Sequence, residues 1–201
     1  MHSIIYGEDV NPKCRLCGLW DENVRHLASG CEELAKRQYV IRHDNMGKRV
    51  HWELCRKYGI ECGEKWYEHV PLNVMEGQGV EIYWNQTIWV HTSVEHNRPD
   101  VVVVDHNEKK WYCIDFSVPM DKNVVKKEDE KLARYEILTQ RIRSLHTVRS
   151  EVIPIVIGAL GTVPNRLPGY LEKLGIPDIT GCLQKSALLG TQRILKNVLC
   201  I

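Results

Sequence analysis

The chain has no dominant charge. Its 27 Lys and Arg offset 26 Asp and Glu, leaving a formal charge of only +1, so bulk electrostatics announce no polyanionic partner. No apolar run approaches the roughly 18 residues that a membrane span needs; the longest is short and holds Pro154. Met1–Val10 carries Glu8 and Asp9, with His2 and Gly7, where a secretory leader would have an apolar centre. No leader is therefore expected, and no membrane partner. Internal repeats and low-complexity tracts are also missing. Eight cysteines without a leader imply a reducing, intracellular compartment, where cysteines bind metal or fill cores rather than pair.

What is there suits one sizeable core with room for a small extra module, at 201 residues and 43% hydrophobic content. Residues 1–31 are broken by Pro12, Gly18 and Gly30, show no helix or strand period, and hold three of the eight cysteines. Residues 32–79 form a basic helical linker region. From Glu32 to Tyr58 the pattern turns helical, with Leu34, Tyr39, Ile41, Met46, Val50 and Leu54 as candidate buried positions. Gly47 is a candidate break and Gly59 a stop. Between Lys36 and Lys57 stand seven basic and two acidic residues, an excess of five. This stretch either tracks phosphates or is a solvated helix face.

Residues 80–201 read as an α/β core. Val80, Ile82 and Trp84 alternate with polar neighbours as a half-buried strand, and Ile88–Val90 is a candidate return strand. Next comes a hairpin: Val101–Val104, the polar turn His106-Asn107-Glu108-Lys109, then Trp111–Val118. If the turn closes between Asn107 and Glu108, Val104 opposes Trp111, Val102 opposes Cys113, and Asp100 opposes Asp115. Opposed side chains lie roughly 4.5–5.5 Å apart at Cβ. Two carboxylates that close repel unless a proton or cation intervenes; the hard-oxygen pair suits Mg²⁺. Asp121 is a plausible N-cap for a helix running to about His146, with Val125, Leu132, Tyr135, Leu138, Ile142 and Leu145 on its apolar face. Glu151–Gly158 reads as a strand that Pro154 pushes to an edge or a bulge. Shorter helices around Pro168–Leu174 and Leu183–Leu199 close the chain. The predicted fold is a mixed sheet flanked by helices.

Cys14, Cys17, His26 and Cys31 have the spacing C-x2-C-x8-H-x4-C. Three thiols and an imidazole suit a closed, tetrahedral Zn²⁺ site, whose binding energy would order a segment lacking its own core. Trp20, inside the loop, either packs on this knot or stacks on a base. The remaining cysteines, Cys55, Cys62, Cys113, Cys182 and Cys200, have no comparable spacing.

Pro99-Asp100, followed by Asp115, resembles the PD-(D/E)xK nuclease pattern. There, acids hold a divalent metal that activates water, and a lysine two residues after the second acid supports the transition state. Here that position is Ser117. Lys131 is a candidate substitute: with Tyr135, Leu138 and Ile142 it shares one helix face, although a lysine there could equally snorkel into water.

Taken in order, the knuckle, the basic helix with Arg42-His43-Asp44, RPD-x14-D and Lys131-x3-Tyr135 resemble the carboxy-terminal region of site-specific non-LTR retrotransposon proteins. The resemblance spans nearly the whole chain. It implies a restriction-like endonuclease core with an amino-terminal CCHC knuckle, acting in the nucleus beside a reverse transcriptase. It implies nicking of double-stranded target DNA with Mg²⁺ or Mn²⁺ to prime reverse transcription, then second-strand cutting. Asp100 and Asp115 would hold the metal, Lys131 and Tyr135 would support catalysis, and the knuckle would touch RNA or single strands. Arg42, Lys48, Arg49, Arg98, Arg141 and Arg143 are candidate backbone contacts, and Glu81 and Glu95 candidate third metal ligands. Arg42-His43-Asp44 itself is read as a basic helix face rather than as catalytic. No F/Y-x-D-D polymerase motif occurs. Two other functions fit the sequence: a nucleic-acid-binding module whose site has decayed at Ser117, and a junction or repair nuclease on the same core.

Overall fold

The computed structural model describes residues 12–199; Met1–Val10 and Cys200, discussed above, lie outside the described residues. The elements are α1 (Val24–Ser29), α2 (Glu32–Ala35), α3 (Gln38–Lys57), β1 (Val74–Gly77), β2 (Val80–Trp84), β3 (Val101–Asp105), β4 (Lys110–Ser117), α4 (Val124–His146), β5 (Arg149–Val156), α5 (Leu167–Lys173) and α6 (Thr180–Leu199). The fold is mixed α/β. Its five strands lie in the order β1-β2-β3-β4-β5. The first four form an antiparallel meander; β5 returns parallel to β4 after the crossover through α4, as parallel neighbours require.

Alternation along β3 divides the interior. Val101 and Val103 join Ile114, Phe116 and Ile155 in a core beneath α3, α5 and α6, with Met46, Leu54, Leu171 and Leu183. Val102, Val104 and Cys113 face the other way, against Tyr135, Leu138 and Ile142 of α4. β5 is an edge strand, where Pro154, lacking an N–H, is tolerated. α3 ends as its sequence foretells. Gly59 adopts φ +64°, its N–H reaches the Arg56 carbonyl at 3.2 Å, and Ile60 N–H reaches that of Cys55 at 2.9 Å. These two bonds are a Schellman cap.

Several expectations give way to packing. Gly47 does not interrupt α3; it lies inside the helix because a closer approach to the sheet is needed there. A Cβ at Gly47 would stand 2.9 Å from the Trp84 ring and 3.0 Å from that of Phe116. Gly47→Ala should gain about 1 kcal/mol of helix propensity but lose about 1–3 kcal/mol to overpacking, since Phe116 is fully buried and cannot yield. A net fall in urea midpoint is expected. Ile88–Val90 is not a strand; Ile88 instead plugs the α4 side of the sheet. β1 was not foreseen. Ile41, Val125 and Leu145 are exposed, being rotated off the faces that pack. Asp121 opens a 3-10 turn before α4 rather than capping it. Its carboxylate accepts from the Leu160 and Thr162 N–H groups, at 2.9 Å each, and so ties the loop after β5 to the head of α4.

Candidate active site

The β3–β4 register is the one the turn dictates: Val104 pairs with Trp111, Val102 with Cys113, and Val101 with Ile114. One step further, Asp100 stands across from Asp115. The Asp100 Oδ2 also accepts from the Phe116 N–H at 2.7 Å, which fixes its carboxylate beside β4. Asp115 is nearly inaccessible, at 3% exposure. By alternation it shares the face of Cys113, toward α4. From that helix Tyr135 donates to Asp115 Oδ1 at 2.8 Å, and the Lys131 ammonium is ion-paired with Oδ2. Lys131 and Tyr135 are one helical turn apart, so one face delivers both. The lysine does not snorkel: its side chain is 14% exposed. Ser117 lines the adjoining cleft with Asp100.

The electrostatics separate the two acids. Burial, then the nearby Asp100 charge, raises the Asp115 pKa, against the opposing pull of Lys131 and Tyr135. Burial acts the same way on Asp100, but hydrogen bonding to His43, its charge, and the Phe116 N–H outweigh it and lower the pKa. His43 was not expected to matter. Its Nε2 meets Asp100 Oδ2 at 3.2 Å and its Nδ1 meets Asp44 Oδ1 at 3.0 Å. Although burial opposes the charged ring, these two carboxylates lift its pKa to about 10. An imidazolium thus bridges Asp44 to Asp100, and no sequence signal marked the pair because 57 residues separate His43 from Asp100.

A half-buried carboxylate, Asp100, facing a buried one, Asp115, that burial and then Asp100 hold back from ionising, forms a donor set that fits a hard divalent cation. Asp100 and Asp115 are the residues that would hold it. Neither third-ligand candidate joins them. Glu81 pairs in register with Val104, four residues or about 13 Å along the strand from Asp100, and binds His106 at 2.9 Å. The Glu95 side chain is 89% exposed. Asp44 lines the same cleft of about 410 Å³ as Asp100, His43 and Ser117, and is the acid that replaces them as a candidate.

The expected phosphate contacts are scattered. Arg98 is exposed beside the site; its carbonyl accepts from Tyr135 at 3.1 Å and its guanidinium donates to the Asn85 carbonyl at 2.9 Å. Lys48 is half-buried on α3. Arg49 is engaged inside the protein, with Glu53 at 2.6 Å and the Trp52 and Trp66 rings beneath it. Arg141 and Arg143 lie about 15 and 18 Å along α4 from Lys131, and Arg143 is bound to the Ser150 carbonyl. Lys126 and Lys127, which the sequence did not single out, instead line a second cleft with Ser117, Ser29 and Gly30, between α4 and the knuckle.

Arg42 is a correction. It is 2% exposed, so it cannot reach a phosphate. Its guanidinium donates to the Ala28 carbonyl at 2.7 Å, Thr191 Oγ1 at 2.8 Å and the Val118 carbonyl at 3.2 Å. Gly190 leaves room for its stem: a Cβ there would come within 2.4 Å of Arg42 Cγ. Arg42 therefore joins the knuckle, α6 and the end of β4. Arg42→Ala should cost about 3 kcal/mol in chemical unfolding, because two buried acceptors and a half-buried one lose a charged donor. The salt dependence of DNA binding should stay unchanged.

The four knuckle residues converge. Their ligand atoms all lie within 4.8 Å of one another; Cys14 and Cys31 Sγ are 4.0 Å apart and Cys17 Sγ is 3.3 Å from His26 Nε2. For Zn–S of about 2.3 Å and Zn–N of about 2.0–2.1 Å, tetrahedral edges are about 3.8 and 3.6 Å, so the set fits one zinc ion. Gly18, at φ +68°, closes the turn between the first two cysteines. Asn23 caps α1 through the His26 N–H and so presents the imidazole. Backbone N–H groups, that of Leu19 first, bring the Cys17 thiol down to about 6, toward the thiolate that metal requires. Trp20 does not pack on this knot; it is 62% exposed.

Neither a protein-family model nor a curated protein matches the sequence. Among solved structures, an N-terminal domain of a reptarenavirus L protein aligns over 78% of this chain and 78% of its own, with a TM-score of 0.38 and 17% identity. That likeness is too distant to assign an activity. No described helix is long and apolar enough to cross a membrane.

Proposed function

We propose that this protein is a divalent-metal-dependent DNA endonuclease of the restriction-like type, working as the nuclease part of a non-LTR retrotransposon protein. The carrying observation is the convergence of Asp100, Asp115 and Lys131 from two strands and one helix, with Tyr135 steadying Asp115. A Mg²⁺ or Mn²⁺ ion held by the two carboxylates would polarise the scissile phosphate and lower the pKa of an attacking water. Lys131, already at the carboxylate, would offset charge growing on the phosphate oxygens. Tyr135 keeps Asp115 Oδ1 in place, while His43 and the Phe116 N–H keep Asp100 in place. Arg98, Lys126 and Lys127 are the cations best situated to bring the DNA backbone to this cleft. The knuckle, with Trp20 exposed, would hold single-stranded DNA or RNA. The retrotransposon setting, with a reverse-transcriptase partner and a nuclear site of action, follows from the motif order alone.

The direct test is nicking of supercoiled plasmid with Mg²⁺ or Mn²⁺, with EDTA and Asp100→Ala as controls. Metal-dependent nicking lost in the variant is expected; nicking that persists in Asp100→Ala would remove this assignment. Lys131→Ala should slow nicking by about 10²-fold or more while leaving salt-sensitive DNA binding in place. The rival reading, a module that binds without cutting, predicts a lysine turned to solvent. The ion pair between Lys131 and Asp115 favours the nuclease.

A further inference from the structure

A second group of metal-ligand side chains lies away from both the acidic site and the knuckle. His51 and Cys55 stand one turn apart on α3, and the loop that follows the helix folds back to bring His69 against them. The ligand atoms of His51, Cys55 and His69 all lie within 4.8 Å of one another, and all three residues are buried. His51 Nδ1 is 2.8 Å from His69 Nε2 and 3.5 Å from Cys55 Sγ. We propose that His51, Cys55 and His69 bind a second zinc ion, which locks the 60–73 loop onto α3.

Three observations support this. The first is geometric. Cys55–His51 already has the length of a tetrahedral Zn edge of about 3.6 Å, and the His–His separation needs to open by only about half an ångström to reach about 3.3 Å. The second is chemical. Two imidazoles and a thiol, all three buried, are the nitrogen and sulfur donors that Zn²⁺ takes. The third is an unmatched polar atom. His51 Nε2 is buried without a hydrogen-bond partner among the described residues, so a simple hydrogen-bonded histidine pair leaves one ring nitrogen unsatisfied whichever tautomer it takes. With zinc on Nδ1 the tautomer is set, and the remaining N–H belongs to a ring that stands edge-to-face on Trp84 at 5.6 Å, where an aromatic face is a weak acceptor.

Beyond Ile60 in the main core and Trp66 beneath Arg49, the loop has few fastenings. It contains no helix or strand, and its exposed apolar side chains include Tyr67, Val70 and Leu72. Trp52 fastens it once, donating from Nε1 to the Gly63 carbonyl at 2.6 Å. Cys62 lies on the same loop, half-buried. Its thiol stands outside the 4.8 Å group, and it is not among the proposed ligands. The spacing H-x3-C-x13-H is the sequence signature, invisible beforehand because it holds a single close pair where small zinc modules show two.

The test counts metal in the full chain. Wild type, Cys17→Ser and His69→Gln are purified with zinc, freed of loose ion and assayed for zinc by mass spectrometry. About two zinc ions per wild-type chain are expected, and about one in each variant. Cys17→Ser carries the decision, because it leaves all three proposed ligands intact. After exchange to Co²⁺ it should retain a thiolate charge-transfer band and tetrahedral ligand-field bands. A wild-type content of one zinc, or a Cys17→Ser protein with no tetrahedral cobalt, overturns the proposal. His69→Gln sits in the loop, outside the helix, and with circular dichroism unchanged its loss of one zinc separates a ligand from a folding defect. None of these readouts depends on DNA cleavage.

Discussion

Asp115→Ala is expected to abolish metal-dependent nicking while leaving the protein folded and able to bind DNA. The cost in rate should be large. A metal's stabilisation of phosphate charge is worth several kcal/mol, and about 4 kcal/mol corresponds to about 10³-fold. Stability should change little, for two opposed reasons. Removing the carboxylate relieves its repulsion with Asp100, the second cause of its raised pKa after burial. It also strips Lys131 and Tyr135 of their partner, and a half-buried ammonium without its counter-ion is costly. Lys131 has four methylenes with which to reach water; Tyr135 keeps the Arg98 carbonyl as an acceptor. The measurement is plasmid nicking beside thermal melting and a salt titration of DNA affinity. Loss of cutting with an unchanged salt slope supports catalysis at Asp115. Undiminished cutting would move the metal elsewhere and leave the Asp100–Asp115 pair as structure alone.

The parts of this site that were legible beforehand are those set by local periods. A four-residue turn fixes the hairpin register, a period of two puts Asp100 and Asp115 opposite each other, and a helical turn puts Lys131 and Tyr135 on one face. Nothing between those residues needs a long-range contact except the docking of α4, which its Leu138 and Ile142 enforce. What could not be read depends on packing across the chain. The His43–Asp100 contact needs α3 and the sheet end to meet. Arg42 looks like a surface cation in a basic run, yet α6 closes over it and its partner Thr191 is 149 residues away. Charge counts along a helix cannot distinguish those two fates. β1 pairs with β2 through Val74, Met75, Glu76 and Gly77; Val74 favours a strand but Glu76 and Gly77 do not, so tertiary pairing makes the segment one. His51, Cys55 and His69 meet only because an irregular loop folds back.

Cys17→Ser is expected to unfold the amino-terminal knuckle without unfolding the sheet. The segment has little to hold it besides metal. Its helices are six and four residues long, far below the length that is stable alone. Its buried apolar side chains are Leu27, Ala28 and Leu34, beside the two thiols of Cys14 and Cys31, and these reach Ile194 and Val198 of α6. Zinc in such modules contributes apparent binding energies of about 10–16 kcal/mol, which no set of contacts here replaces. Tyr39, donating to the Leu27 carbonyl at 2.9 Å and accepting from the Cys31 N–H at 3.1 Å, and Arg42, donating to the Ala28 carbonyl, would both lose acceptors that only a folded knuckle presents. The loss should therefore spread to the end of α6, where Ile194 and Val198 meet the knuckle, and stop where Leu183 and Ala187 anchor that helix in the sheet core. Hydrogen exchange should show residues 13–35 and the end of α6 deprotected while β3 and β4 stay slow. Nicking, if present, should survive at saturating DNA with weaker binding. Exchange unchanged in residues 13–35 would mean that the knuckle stands on its apolar contacts, and that its four ligand atoms converge for some reason other than zinc.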